Sequence, residues 1–278
     1  MSSHTPPFSL IISPGDIIMS QFLIILSELT GWCYFLVWGI SFYPQFWTNY
    51  KIGHVEGYSA DFGMLNISGF LFYFFYCIWG YMDSSKISGI IDVQDLAFAS
   101  HSFLLTLLLI CQCLYYDKRF LSNLHNWVKI FLSVVWTLTV IFCTLEYFDH
   151  FPSIVPDLNG CLWLGYVKVT ITIMKYLPQA LKNYSRKSTE GWNISTILLD
   201  ISGGILSIFQ SLIDSINKEN YGEFNIAKVC LGLISIVFDL VFIIQHYILY
   251  IQKSDLVSPL LPKDRSLSST ESEIIIQI

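Results

Sequence analysis

The sequence predicts an all-α membrane protein with seven transmembrane helices, arranged as two parallel three-helix bundles joined by an inverting fourth helix. Two observations predict this class. Of the 278 residues, 54% are hydrophobic and only 13% are charged, and the mean hydropathy is +0.56, which leaves too little polar surface for a soluble globule. The second observation is an internal repeat with an offset of 134 residues.

The repeat is seen when the segment from Pro44 to Gly69 is laid without gaps over the segment from Pro178 to Gly203. Ten of the 26 aligned positions are identical. Within the second copy, Asp200 stands in the middle of an apolar segment, at the position that Asn66 holds in the first copy. A carboxylate at the centre of a membrane helix costs roughly 3 kcal/mol on insertion scales, so Asp200 predicts a functional site.

Seven apolar segments are long enough to cross a bilayer core of about 30 Å. They are Leu29–Trp47, Phe62–Met82, Leu96–Tyr116, Trp127–Leu145, Cys161–Leu181, Ile194–Ile216 and Ala227–Ile251. The corresponding parts of the chain are a short N-terminal tail (1–28), a first bundle (29–116), a linker with the fourth helix (117–156), a second bundle (157–251) and a disordered tail (252–278).

The distribution of lysine and arginine predicts the orientation in the membrane. The loops and tail on one side hold nine of these residues, whereas the loops on the other side hold only Lys86 and Lys218. Because cytosolic loops are enriched in lysine and arginine, the C-terminus is expected in the cytosol and the N-terminus on the opposite side. Four helices separate the two copies of the repeat, so both copies enter the membrane in the same direction.

Composition also argues against several functions. A net charge of −6 without a basic stripe does not favour binding to nucleic acid. The seven cysteines lie in apolar segments without a CxxC motif, which is typical of buried reduced thiols rather than of disulfides or metal ligands. The chain has no pairing of a nucleophile with a base and no metal-ligand spacing, so neither an enzyme nor a cofactor is expected.

Two charged faces are predicted on the fifth and sixth helices. Lys168 and Lys175 are seven residues apart, hence on one face and about 10 Å apart along the axis. We interpret them as a cationic site, although Lys175 is close enough to the helix end to reach the interface instead. On the sixth helix, Asp200 shares a face with Gly203 and Gly204. Close helix packing explains the glycines but not the aspartate.

The seventh helix carries a third polar face. Lys228, Ser235, Asp239 and His246 recur at spacings of seven, four and seven residues, so all four side chains point the same way. Asp239 is either the structural partner of a lysine or a group that takes up and releases a proton. We favour a mixed role, because desolvation and neighbouring cations act on a carboxyl group in opposite directions.

The third helix adds Asp95 at its non-cytosolic edge and His101 about one and a half turns deeper. These two residues do not share a face. His101 is a candidate proton-coupling group, and the alternative is a hydrogen-bonded structural histidine.

Two proline–glutamine pairs, Pro44-Gln45 and Pro178-Gln179, lie near the cytosolic ends of the first and fifth helices. Proline removes a backbone hydrogen bond and kinks a helix. Because the pairs occupy equivalent positions in the two repeats, we interpret them as paired hinges rather than as static kinks.

Six motifs together resemble the PQ-loop family, over about residues 32–250. They are SFYPQ (41–45), DFGMLN (61–66), KYLPQALKNY (175–184), KSTEGW (187–192), LLDISGG (198–204) and FDLVFIIQH (238–246). Within this family the chain is most similar to the branch of proton-coupled exporters of lysosomal cystine. Thr196 departs from that branch, whose pattern has an asparagine there.

The resemblance implies a binding site for L-cystine. Its residues would be Phe42, Gln45, Asn66, Lys168, Lys175, Asn183 and Asp200. It further implies proton coupling through Asp95, Asp200 and Asp239, with Lys228 near the path, and export from the lysosome lumen to the cytosol by alternating access. Protons would be the coupling ion. A lumenal N-terminus and a cytosolic C-terminus follow from this placement.

Two alternatives remain open at the level of sequence: a PQ-loop transporter of a cationic amino acid, and a pH-dependent seven-helix cargo receptor. In the tail, Asp255 and the pair Leu260-Leu261 resemble a dileucine signal for sorting adaptors.

Overall fold

Eight α-helices form the part of the chain that the computed structural model describes, which is residues 14–83, 91–148, 159–217 and 226–250. They are α1 (Pro14–Ile40), α2 (Tyr43–Ile52), α3 (Ala60–Met82), α4 (Val93–Tyr116), α5 (Asn126–Tyr147), α6 (Gly160–Arg186), α7 (Ile194–Asn217) and α8 (Ile226–Ile244). A short 3₁₀ helix (Phe120–Asn123) precedes α5, and a π-helical turn (Gln245–Leu249) follows α8.

The chain is a multi-pass helical membrane protein. Six segments are long and apolar enough to cross a membrane, and α1 together with α2 makes up one of them. The 27-residue helix α6 is long enough as well, at about 40 Å, but it carries Lys168, Lys175, Lys182 and Arg186. The arrangement of seven helices as two parallel bundles remains a prediction.

The first predicted helix was wrong at both ends. The structure begins α1 at Pro14, 15 residues before the predicted start at Leu29, so much of the predicted tail is helical. Proline is tolerated in the first helical turn because its missing N–H would have no partner there. The apolar run that follows Pro14 then continues the helix.

The two proline–glutamine pairs lie in different local structures, contrary to the prediction that both helices kink or break there. Before Pro44 the helix ends at Ile40, and Pro44 lies in the first turn of the separate helix α2. Pro178, in contrast, lies inside the continuous helix α6. The predicted break at Pro178 is therefore wrong.

The residues before each proline explain this difference. Gly39 favours the helix weakly. The Ser41 hydroxyl donates to the carbonyl of Trp38 over 2.6 Å and so competes with the helical backbone. The segment before Pro178, which includes Met174 and Leu177, contains better helix formers.

The helix contacts follow the repeat. Helix α3 packs against α6, and α1 packs against α7. In the repeat, α1 and α2 are equivalent to α6, and α3 is equivalent to α7, so these two interfaces are one kind of contact made twice. The helices that carry the candidate site residues therefore meet between the two copies of the repeat.

Candidate functional site

A cavity of about 590 Å³ lies where the two repeats meet. Its walls include the side chains Trp38, Phe42, Gln45, Asn66, Phe70, Lys175, Tyr176, Trp192, Thr196 and Asp200. A neighbouring cavity of about 510 Å³ shares Trp38, Phe70, Lys175, Tyr176 and Asp200 with it, and adds Asp95, Lys168, Thr172, Ser207 and Ser235. We treat the two cavities as one site, with Lys175 and Asp200 at the boundary between them. The volumes fall in the range of small-molecule sites.

The two lysines of α6 are buried within this site. Lys175 is 7% exposed and donates to the Asn66 amide oxygen over 2.8 Å. Lys168 is 6% exposed, and its ammonium nitrogen lies 4.0 Å from the ring centre of Phe70. Such cation–π contacts stabilise a desolvated ammonium group. The burial of both side chains supports a cationic site over the alternative that Lys175 extends to the interface.

Asp200 of α7 faces the same space. Its carboxylate accepts a hydrogen bond from the Tyr176 hydroxyl over 3.1 Å, and its backbone carbonyl accepts from the indole N–H of Trp38 over 2.9 Å. Within the described residues, no ion pair joins Asp200 to Lys168 or Lys175. The site therefore presents separate positive and negative groups to a ligand.

Tyr176 connects the site to α8. Its hydroxyl is 2.9 Å from that of Ser235, one turn before Asp239 on the same face. Asp239 is fully buried, and neither carboxyl oxygen has a hydrogen-bond partner in the described part of the chain. Asp239 is not among the residues that line either cavity. Sequence analysis missed Tyr176, because a tyrosine in an apolar helix carries no distinguishing signal.

The remaining predicted residues are spread more widely. Asp95 lines the second cavity, accepts a hydrogen bond from the Tyr34 hydroxyl and caps α4 through the backbone of Asp92. The ring of His101 packs against Phe35 and lines neither cavity. Lys228 belongs to the first turn of α8, but its side chain lies outside the described residues, as does the tail with the dileucine-like sequence.

Gln45 crosses from the first repeat to the second. Its amide nitrogen donates to the carbonyl of Gly191 over 2.9 Å, and its amide oxygen accepts from the backbone N–H of Asn193 over 3.1 Å. Both partners lie in the 187–193 loop between α6 and α7. Gln45 therefore fixes the loop of the opposite repeat while it also lines the cavity.

Gln179 makes the same contacts in the other direction. It donates to the carbonyl of Gly57 over 2.9 Å and accepts from the backbone N–H of Ser59 over 2.9 Å, both in the 53–59 loop between α2 and α3. Each of these residues is 134 positions before or after its counterpart. The two glutamines thus form a symmetric crossed pair, in which each repeat holds the connecting loop of the other.

Each glutamine also starts a chain within its own repeat. Gln45 donates to Asn49 over 2.9 Å, and Asn49 donates to Gln112 over 3.0 Å. In the second repeat, the glutamine four residues before Asn183 donates to it, and Asn183 donates to Gln245, both over 3.0 Å. Asn183, predicted as a substrate-binding residue, lies in this network and outside both cavities.

Replacing Gln179 with leucine is expected to destabilise the protein by about 2–4 kcal/mol, because it leaves the buried Gly57 carbonyl and Ser59 N–H without partners. Unfolding of the purified protein in detergent measures this loss. Leucine at Gln21, which is exposed on α1, serves as the control and should change stability by less than about 0.5 kcal/mol. Equal stability of the two variants would show that the crossed hydrogen bonds contribute nothing.

Helices in two repeats, with a charged cavity between them, define the class of protein as a polytopic membrane protein with a buried small-molecule site. The PQ loop repeat family matches the chain twice, at residues 26–85 and 161–220. These two ranges contain Pro44-Gln45 and Pro178-Gln179, respectively.

Full-length comparison gives a narrower assignment. The chain is 38% identical over 243 residues to a cystinosin homolog of Dictyostelium discoideum, covering 82% of each chain. It is 36% identical over 246 residues to the cystinosin homolog of Caenorhabditis elegans (84% of this chain and 60% of that protein). It is 28% identical over 258 residues to a cystine transporter of Saccharomyces cerevisiae (85% and 98%). The chain belongs to the cystinosin family of PQ-loop proteins, and it spans about 60% of the length of the nematode relative.

Proposed function

We propose that the chain transports L-cystine across a membrane. The observation that carries this proposal is the cavity between the repeats, where the ammonium of Lys175 and the carboxyl of Asp200 are both buried and not paired with each other. Cystine has two ammonium and two carboxylate groups, so its site requires both signs of charge. The names of the Dictyostelium and yeast relatives support the same substrate.

Proton coupling would act through Asp200 and Asp239. A buried carboxylate without hydrogen-bond partners is destabilised by desolvation, and protonation removes that penalty. We infer that protons from an acidic compartment discharge Asp239 and Asp200, so that the gate on that side closes over cystine. Release of substrate and protons on the other side completes the cycle. No further cofactor is required.

The available free energy is adequate for such coupling. A difference of two pH units is worth about 2.7 kcal/mol per proton. This free energy supports roughly a 100-fold gradient of substrate for each proton coupled. We place the protein in the lysosomal membrane, with export into the cytosol by alternating access between the two repeats. The C-terminal tail would then face cytosolic sorting adaptors.

Uptake of radiolabelled cystine into cells that express the chain at the plasma membrane tests the proposal, with arginine as the competing substrate. Cystine uptake is expected to exceed that of control cells and to rise when the external pH falls, since the lumenal side then faces the medium. Uptake of arginine without cystine would assign the protein to the carriers of cationic amino acids. Saturable cystine binding without any flux would indicate a receptor.

A further inference from the structure

Tyr176 occupies a junction of three helices. Its side chain extends from α6, is 2% exposed, and stacks on Phe238 of α8 with ring centres 4.9 Å apart. Its hydroxyl lies 3.1 Å from the carboxylate of Asp200 on α7 and 2.9 Å from the hydroxyl of Ser235 on α8. A single phenolic group therefore joins the carboxyl-bearing faces of α7 and α8.

The chemistry of the hydroxyl makes this junction directional. A tyrosine hydroxyl has one hydrogen to donate and can accept in return. While Asp200 is charged it only accepts, so Tyr176 donates to it and Ser235 donates to Tyr176. Once Asp200 carries a proton, it can donate to Tyr176, whose hydrogen then turns toward Ser235. The direction of both hydrogen bonds reverses, and no covalent bond of the tyrosine breaks.

The reversal reaches the face that bears Asp239. Ser235 and Asp239 are four residues apart on α8, a spacing that makes side chains neighbours. In the first arrangement, the hydrogen of Ser235 is engaged by Tyr176; in the second it is free, one turn from a carboxyl group whose oxygens have no partner among the described residues. Hydrogen bonds in such chains polarise one another at low dielectric.

The charged groups around the hydroxyl are few and come from identifiable helices. They are Asp200 from α7, Asp239 from α8 and Lys175 from α6 itself, whose ammonium lies 4.6 Å from the ring centre of Tyr176. Lys168, also on α6, acts on Asp200 across the second cavity. On the α3 side, the tyrosine ring meets the uncharged ring of Phe62.

We propose that Tyr176 is a positioning residue that couples the protonation of Asp200 to that of Asp239, through reversal of the hydrogen-bond chain from Asp200 to Ser235. The proposal rests on the proposed function only in that proton-driven transport would use this coupling. The coupling itself is a property of the protein without substrate, and it is therefore measurable without transport.

Infrared titration of the purified chain tests it. The C=O absorption of each protonated carboxyl group is followed as the pH falls, and the bands are assigned with Asp200→Asn and Asp239→Asn. Tyr176→Phe keeps the ring and its stacking. It is expected to shift the titration of the Asp239 band by about one pH unit, the equivalent of one hydrogen bond. Tyr166→Phe, on the exposed face of α6, is the matched control and should leave the band unchanged.

Ser235→Ala supplies a second variant, which keeps the contact between Tyr176 and Asp200 and interrupts the chain beyond it. It should shift the Asp239 band as well, and its combination with Tyr176→Phe should add nothing further, since both interrupt one chain. An Asp239 band that titrates as in the wild type in Tyr176→Phe overturns the proposal. So do additive shifts in the double variant. If Tyr176→Phe does not fold, an unshifted band in Ser235→Ala has the same meaning.

A flux measurement connects the result to transport. Tyr176→Phe should lose at least fivefold of the acid-stimulated cystine flux while the KM for cystine stays within twofold of the wild type. A raised KM with an unchanged pH profile would assign the hydroxyl to substrate binding and overturn the coupling. If the wild-type chain moves no cystine, the proposed function fails, and the infrared titration still decides the role of Tyr176.

Discussion

Asp200→Asn is expected to lower kcat/KM for cystine by roughly 10- to 150-fold and to abolish its dependence on pH. The substitution keeps the size of the side chain and an oxygen that can accept from Tyr176, but it removes the negative charge that faces the cavity. A hydrogen bond to a charged group contributes about 1.5–3 kcal/mol, and each 1.4 kcal/mol is a factor of ten. Initial rates of cystine uptake at several concentrations, at neutral and acidic pH, measure the loss.

Asp214→Asn is the matched control for this variant. Asp214 lies on the same helix, 14 residues further on, where it accepts a hydrogen bond from Ser27 over 2.5 Å and lines neither cavity. Its uptake should stay within twofold of the wild type. Equal rates for Asp200→Asn and the wild type would show that the carboxyl group in the cavity takes no part in transport.

Gly57→Ala is expected to destabilise the fold by about 3 kcal/mol or more, because the 53–59 loop and the 187–193 loop cross in contact at this residue. A Cβ atom on Gly57 would lie 2.5 Å from the Cα atom of Gly191. The obstacle is backbone and cannot rotate away. The crossing would have to open, and the hydrogen bonds of Gln45 and Gln179 to these loops would open with it. Thermal unfolding in detergent measures the loss.

The control uses another glycine of the same loop. Gly53 has a φ of +70°, and a Cβ atom there would meet no other atom within 4 Å. Gly53→Ala should therefore cost only the backbone strain, about 1 kcal/mol. If Gly57→Ala were as stable as Gly53→Ala, the close crossing of the loops would be contradicted.

The residues of the cavity that sequence analysis identified were those with an unfavourable place in a membrane. Lys175 and Asp200 are costly in apolar segments, and the repeat placed Asn66 in the position equivalent to Asp200. Such residues are predictable because they need a reason to be there. The structure brings all three to one cavity.

Other features depend on contacts between distant segments and were not predictable. Gln45 and Gln179 were interpreted as parts of hinges, since a glutamine side chain gives no indication of which backbone it binds. Their loop partners follow only once α1 lies on α7 and α3 lies on α6. Tyr176 acquires its two partners in the same way, because Asp200 and Ser235 belong to separate helices.

Local structure around the prolines was wrong for a different reason. The same Pro-Gln pair stands at a helix start in one repeat and within a helix in the other. Proline at either place lacks one backbone hydrogen bond, and the neighbouring residues decide whether the helix continues. Position relative to proline is therefore not enough to predict a break.

Proton-driven accumulation of cystine in liposomes containing the purified protein tests the central claim most directly. With cystine at equal concentrations on both sides and the pH two units lower on the lumenal side, the account predicts net movement toward the other side until a gradient is established. The same gradient should produce no accumulation with Asp200→Asn. Cystine that only equilibrates, at the same rate with and without the pH difference, would contradict the account.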